Sequence, residues 1–473
     1  MVPEGCGKKH VSAHSRERIQ DAVEVPRGEA TDTQSFRLLI YAGQAMLDLL
    51  ALSGGIFLGS LVRPGFFASY VHSAPFPLML FTFMVANFYL RAYTYVALFT
   101  PHRGILRALG ALWITFGASL LITFALKQSE QVSRAVFFTS FAISAATVVV
   151  ARLPLAWLVS RMPEARFVRR MLIVDGAPVA APFQFEVIDA EALGIRPDVH
   201  NPIMLHNFSR LVSNVDRVVV SCRPEQREHW AIYLKGVGCW GELLVPELRG
   251  IAPVHHEPNL GLAGVLVSTN ALDLRSRLVK RALDLLFTVP AIVVLSPLLL
   301  VIALAIKLDS DGPVLFRQQR MGRGNQLFDV VKFRSMRAEA SDHSGNRSAS
   351  RDDDRITRVG RVLRAASLDE LPQLFNVLRG DMSLVGPRPH ALGSLAGAQL
   401  FWHVDTRYWL RHAIKPGITG LAQVRGFRGA TDHEDDLANR LHSDLEYVTA
   451  WSISRDIAIL FRTLLVVRHK NAY

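Results

Sequence analysis

Apolar residues fall in blocks along the chain. Residues 1–35 are polar, mixed in charge and without apolar periodicity, which predicts a disordered tail. Four apolar runs follow, near 38–62, 76–98, 105–126 and 133–152, each close to the ~20 residues a helix needs to cross a bilayer. They predict four transmembrane helices over 36–160, interrupted by Asp48, Asn87 and Arg91. Ionisable groups at membrane depth are functional candidates by default, but Asp48 can pair within the bundle and Arg91 can snorkel at a helix end. Over 165–265 the pattern changes to strand-like runs, Met171–Val174 and Arg217–Ser221, the second followed by a helical stretch at 224–237. This is the pattern of a small Rossmann-like α/β domain. The turn after the first run reads Asp175-Gly176-Ala177-Pro178, with no G-x-G-x-x-G, so the domain is degenerate and no dinucleotide is expected there. His255-His256-Glu257 reads as a surface loop, not a metal site.

Residues 282–306 are apolar for one more bilayer crossing, yet both flanks are basic: Arg275, Arg277, Lys280 and Arg281 before, Arg317, Arg320, Arg323, Lys332 and Arg334 after. Each end therefore favours the cytoplasmic face. Ser296-Pro297 near the middle offers a break, since proline removes a ladder bond and serine can bond a freed carbonyl. The expectation is a re-entrant helix over 280–307 that enters and leaves one leaflet, with a kinked spanning helix as the alternative. From Asp309 on, short apolar runs alternate with basic turns, and a polar loop spans about 338–354. An amphipathic helix is expected near 394–412, its Phe401, Trp402, Tyr408 and Trp409 suiting either a membrane interface or a core. A last helix, packed or interfacial, is expected over 436–468.

Composition adds a location. The chain is 50% hydrophobic over 473 residues, more than a soluble domain normally carries, and a membrane is the natural sink. The net charge of +12 fits anionic lipid, phosphorylated substrates or nucleic acid equally. Its distribution is more informative: Arg27 and Arg37, Arg103 and Arg107, and Arg152, Arg161, Arg166, Arg169 and Arg170 flank the apolar runs on one side. These predict a membrane protein with its N-terminus and C-terminal domain facing the cytoplasm. Three dispersed cysteines, Cys6, Cys222 and Cys239, suggest a reducing compartment and no structural zinc.

The chemistry concentrates in Ser367-Leu-Asp-Glu-Leu-Pro-Gln-Leu-Phe-Asn-Val-Leu-Arg-Gly380, where Asp369 and Glu370 lie between arginines in an apolar stretch. Adjacent carboxylates are costly there unless something binds. Pro372 places a helix start close by and Gly380 its stop, so the helix's positive end faces the pair. An anion site with its own nucleophile or metal ligand fits; a capping box from Ser367 to Glu370 is the plainer alternative.

Residues 280–473 resemble the bacterial sugar transferases, the polyprenyl-phosphate hexose-1-phosphate transferases of the large-chain monotopic phosphoglycosyl transferase type. The likeness rests on Lys280-Arg281 with Asp284, Ser296-Pro297, Gly312–Gly322, Lys332-Phe-Arg-Ser-Met336, Arg355–Arg361, Ser367–Pro389 and Lys415-Pro-Gly-Ile-Thr-Gly420. It implies a phosphoglycosyl transferase domain over 275–473, an α/β catalytic domain on the re-entrant helix. The implied reaction is transfer of a sugar 1-phosphate from a UDP-sugar, UDP-glucose or UDP-galactose foremost, to undecaprenyl phosphate with release of UMP. That is the priming step of exopolysaccharide, capsule or O-antigen synthesis, which the resemblance places at the bacterial inner (cytoplasmic) membrane. By position Asp369 is the nucleophile that carries an aspartyl phosphosugar intermediate, and Glu370 helps hold Mg²⁺. Lys332, Arg334, Arg364, Arg388 and Gln423 are implied substrate-binding residues. Membrane lipid is an implied partner, nucleic acid is not, and a homodimer is left open. Asp354 and Arg425 depart from the family pattern, and Arg425 puts the identity of the sugar in doubt. A membrane scaffold, or direct transfer with Asp369 as general base, are the competing readings.

Overall fold

A computed structural model describes residues 32–62, 75–127, 133–179, 184–251, 263–337, 353–397, 399–427, 431 and 433–466. Most of the expected tail, His255–Glu257 and nearly all of the 338–354 loop lie outside them. The described residues divide into two compact units, one within 28–169 and the other within 170–473.

The first unit is helical: Asp32–Ser60, Pro75–Tyr89, Tyr95–Phe99, Pro101–Ala125 and Arg134–Ser160. Three of these are long and apolar enough to cross a membrane. The second expected span is shorter than the sequence pattern suggested. Its helix has 15 residues, about 22 Å at 1.5 Å per residue, and ends where Arg91 turns the chain with φ +57°. Gly55 and Gly59 let the first helix approach Ser144 and Ser140 of the last, the small-residue contact typical of membrane helices. Asp48 does pair within this unit. Its partner is Arg152, counted above among flanking charges but in fact buried within the last helix. Arg152 Nε donates to Asp48 Oδ1 at 3.0 Å and Nη1 to the Gly104 carbonyl at 2.8 Å, while Gln44 donates to the same Asp48 oxygen at 2.9 Å. The Asn87 side chain donates to Phe83 O at 3.0 Å and is also buried.

The second unit opens with a five-stranded sheet in the order β2-β1-β3-β4-β5: β1 Arg170–Asp175, β2 Glu186–Asp189, β3 Arg217–Cys222, β4 Gly241–Leu244 and β5 Gly264–Ser268. β1 to β4 run parallel and β5 is antiparallel to β4. The β3 strand is buried on both faces, as a central parallel strand should be. Helices Pro202–Val212 and Arg227–Val237 cover the sheet, the first capped by Asn201, which accepts from the amides of Ile203 and Met204 at 3.1 Å each.

The long helix Leu274–Asp309 follows, capped by Asp273, which accepts from Ser276 N at 2.9 Å. Helical structure continues through Ser296-Pro297, where a break was expected; Pro290 also lies inside it. The Ser296 hydroxyl donates to Val293 O at 2.8 Å, so the serine stays within the helical hydrogen bonding instead of ending it. Beyond it, β6 (Leu315–Met321) and β7 (Leu327–Phe333) form an antiparallel hairpin, and the helix Arg358–Ala365 and a 3₁₀ turn Leu368–Glu370 lead into the helix Gln373–Arg379. β8 (Ser383–Val385) pairs with a later strand, and a small hairpin of β9 (Leu395–Ala396) and β10 (Gln399–Leu400) lies between.

Two expectations are corrected here. The 394–412 stretch is not one amphipathic helix: it is that hairpin, a helical turn Phe401–Val404 and a 3₁₀ helix Thr406–Ala413. Its aromatics face a core: Phe401, Trp402, Tyr408 and Trp409 are buried together with Trp230, Tyr233 and Phe208 of the α/β domain. The last helix is two helices, Glu434–Thr449 and Ile453–Val466, parted at residues 450–452, and Asp456 in the first turn of the second is fully buried.

Candidate active site

Asp369 and Glu370 occupy the 3₁₀ turn between two helices. Thr357 starts the first helix, its hydroxyl accepting from Gly360 N at 3.0 Å. Ser367 then turns the chain with φ +55°, a left-handed conformation uncommon for a residue with a side chain. Ser367 makes no side-chain capping bond, so the capping box does not form. The following helix ends at Gly380 with φ +100°, the expected stop.

Glu370 is doubly engaged. Lys332 Nζ lies 2.9 Å from its Oε1, and Arg388 donates from Nη1 to Oε2 at 3.1 Å and from Nη2 to Oε1. Burial alone would raise its pKa, but Arg388 and Lys332 hold it well below the usual carboxylate range. Asp369 differs. Among the described residues none is seen to donate a hydrogen bond to its carboxylate, which remains half-buried. Burial raises its pKa, the Glu370 charge adds to that, and Lys332, Arg364 and Arg388 oppose it. A carboxylate with open lone pairs, surrounded by cations that do not quench it, can serve as nucleophile or as metal ligand.

The frame around the pair is set by bonds that sequence reasoning did not assign. Asn376 accepts from Val331 N at 2.9 Å and donates to Asp329 O at 2.7 Å, locking the 373–379 helix to β7 and so bringing Lys332 to Glu370. β11 (Gly417–Thr419) runs parallel to β8, and a Cβ at Gly386, Gly417 or Gly420 would collide with the neighbouring backbone. Glycine is required at that crossing. Lys280, on the long helix, donates to Val385 O at 2.9 Å and pairs with buried Asp456 at 2.6 Å. Asp284, one turn on, accepts from Ser383 Oγ and Leu384 N at 2.9 Å each. Arg320 donates to Pro389 O at 3.1 Å; burial, the Arg388 charge outweighing that of Glu370, brings its pKa down to about 10. The signal for Lys280 and Asp284 was present in the sequence as opposite charges four apart on one face of an apolar helix. The Arg320 contact left none.

Of the expected site residues, Asp369, Glu370, Lys332 and Arg388 come together, and Arg364 is near enough for its charge to act on Asp369. Arg334 does not join them. It is buried and bonds Ser310 O at 2.7 Å and Asp311 O, tying down the chain just after the long helix. Gln423 donates to Ile418 O at 3.2 Å, and its Oε1 is buried without a partner beside the glycine crossing, with no contact to the carboxylates. For Mg²⁺ the donor set is sparse: both Glu370 oxygens face N–H donors, and among the described residues no group of three or more His, Cys, Asp or Glu side chains converges. The open Asp369 beside Glu370 fits an ion held by one or two carboxylates and completed by substrate phosphates, not a protein cage.

A half-buried carboxylate thus lies beside an arginine-bound glutamate, in a unit that also carries an apolar helix long enough to cross a membrane. A family model described as bacterial sugar transferase matches residues 275–470. Residues of this chain are 56% identical over 185 positions to an undecaprenyl-phosphate glucose phosphotransferase of Komagataeibacter xylinus, covering 39% of this chain and 35% of that one. They are 50% identical to the exopolysaccharide production protein PSS of Rhizobium leguminosarum, over 39% of this chain and 93% of the relative. They are 48% identical to a UDP-glucose:undecaprenyl-phosphate glucose-1-phosphate transferase of Caulobacter vibrioides, over 43% of this chain and 73% of the relative. The chain belongs to the bacterial sugar transferase family.

Proposed function

We propose that the chain transfers a sugar 1-phosphate from a UDP-sugar to undecaprenyl phosphate and releases UMP, priming an exopolysaccharide or related glycan. The observation that carries this reading is the open Asp369 carboxylate inside its cationic frame, while Glu370 is held ionised by Arg388 and Lys332. An Asp369 oxygen attacks the β-phosphorus in line; the bond from that phosphorus to the bridging oxygen breaks, and UMP leaves with the electron pair. The phosphosugar is then esterified to Asp369. An oxygen of undecaprenyl phosphate attacks the same phosphorus, and the Asp369 carboxylate departs unchanged. Lys332, Arg364 and Arg388 offset the charge that develops on the phosphoryl oxygens. Mg²⁺, held with the help of Glu370 and completed by substrate phosphates, would neutralise the diphosphate. The names of the relatives make UDP-glucose the first donor to test and UDP-galactose the second.

The same reading places the catalytic part on the cytoplasmic face, against membrane lipid, with the long helix re-entrant. It is supported by the attachment of both ends of that helix within one unit: Lys280 and Asp284 to the Ser383–Val385 strand, and Asp309, which accepts from Val359 N at 3.0 Å, to the 358–365 helix. Labelling of single cysteines at 270 and 320 from the same side is the expected result, and light scattering in detergent decides between monomer and homodimer. For the chemistry, purified protein with UDP-glucose, undecaprenyl phosphate and Mg²⁺ should release UMP, and label from the sugar phosphate should be trapped on the wild type but not on Asp369→Asn. Undiminished UMP release by Asp369→Asn would sink the covalent route and the general-base reading alike, whereas release by the wild type with no label trapped on it would leave the general-base reading.

A further inference from the structure

Glu370 is held by Arg388, and what holds Arg388 is a part of the fold that the transfer reaction itself does not call on. Arg388 stands between Pro387 and Pro389, whose rings restrict the backbone on both sides. Three successive carbonyls through it each accept a hydrogen bond. Pro387 O takes Gly417 N at 3.0 Å, Arg388 O takes Arg411 Nη2 at 2.7 Å, and Pro389 O takes Arg320 Nη1 at 3.1 Å. Arg411 is only 1% exposed and Asp444 2%. Asp444 Oδ2 receives Arg411 Nε at 2.9 Å and Nη2 at 2.7 Å, so one guanidinium is clamped on its carboxylate while reaching the Arg388 main chain. The third nitrogen, Nη1, lies 3.3 Å from His390 Nδ1 and 3.4 Å from His412 Nε2. Burial and the Arg411 charge hold both histidines well below their ordinary pKa, so they stay neutral and can accept from it. A buried arginine with every nitrogen committed is a rigid strut.

We propose that Arg411, anchored by Asp444, is a positioning residue for the transfer reaction, fixing the Arg388 main chain so that the Arg388 guanidinium closes on Glu370. This rests on the proposed function for its readout in turnover, and on geometry alone for its structural readout. Lysine at 411 keeps the charge but cannot bond Asp444, the Arg388 carbonyl and the histidines at once.

The test uses the full chain in detergent with Arg411→Lys and Asp444→Asn, each alone and combined with Arg388→Lys, rates taken per folded molecule. Arg411→Lys should lower kcat about 10-fold with KM for the UDP-sugar changed less, as loss of a transition-state contact requires. In the Arg388→Lys background the same change should cost less than about 2-fold, because the group it positions is gone. Equal losses in both backgrounds would overturn the proposal, since a merely structural role is additive. Should Arg411→Lys fold poorly, Asp444→Asn, which keeps shape and one acceptor, must show the same non-additivity. A cryo-EM structure of Arg411→Lys supplies the reading independent of activity: Arg388 released from Glu370 supports the proposal, and the pair left bidentate overturns it. A wild type that releases no UMP would instead defeat the proposed function and leave that structural arm to decide.

Discussion

Two arginine–carboxylate pairs sit in the two halves of this molecule, and they are built to different ends. In the helical unit, Arg152 and Asp48 are both buried, and Arg152 also bonds Gly104 O while Asp48 also receives Gln44. The pair closes on itself. In the second unit, Glu370 is equally well served by Arg388 and Lys332, but the carboxylate next to it is not. Burying a charge is tolerable when geometry supplies its partners, and the departure from that rule at Asp369 marks the place where a substrate is needed. Ionisable residues in apolar surroundings are thus told apart by how fully they are satisfied, not by how buried they are.

The comparison breaks most visibly at Arg152. Arg152→Met leaves Asp48 without its cation and should destabilise the helical unit by about 3–5 kcal/mol in detergent, whereas Asp48→Leu with Arg152→Met should recover much of the loss. Turnover per folded molecule should be unchanged. Thermal unfolding alongside UMP release measures both, and a loss of turnover without a loss of stability would make the bundle pair functional after all. At the other pair the balance reverses. Lys332→Met leaves Glu370 on Arg388 alone and should reduce transfer about 10²-fold, the scale of one removed electrostatic donor, with little change in unfolding temperature. A rate within 2-fold of wild type would remove Lys332 from the site.

What could be foreseen followed the range of the interactions. Asp369, Glu370, the Pro372 start and the Gly380 stop are local and were legible. So were β1 and β3, since a buried parallel strand is a short continuous apolar run. The likeness implies Arg334 by position alone, which carries no geometry; β7 ends at Phe333, and the Arg334 side chain bonds Ser310 O at 2.7 Å. The Phe401–Trp409 aromatics showed an apolar surface but not what it met, and the meeting partners, Trp230 and Tyr233, lie far back in the chain. Arg411 with Asp444, and Lys280 with Asp456, are charges placed by tertiary folding, with nothing in the residues beside them to announce the pairing. The α/β domain, which lacks a glycine-rich phosphate turn, shares one core with the segment that carries Arg411. The Rhizobium relative is matched over 93% of its length by only 39% of this chain.

The finest distinction lies between neighbours. Glu370 has its pKa depressed, so its favourable contribution to stability is present above the pKa of the unfolded chain, about 4.3, and is lost as pH falls through its lower folded value. Asp369 has its pKa raised, so the sign reverses: its contribution is favourable at low pH and is lost as pH rises through the folded value. At pH 7 the ionised Asp369 is therefore a cost that asparagine removes, and Asp369→Asn should unfold at the same temperature as wild type or slightly higher. Glu370→Gln should unfold lower, and its deficit should shrink as pH falls below about 4, where the wild-type glutamate begins to lose its advantage. Unfolding curves between about pH 2 and pH 8 read both. If Asp369→Asn were as destabilising as Glu370→Gln, Asp369 would be a satisfied group like Asp48, and the contrast between a closed ion pair and an open site would fail at its centre.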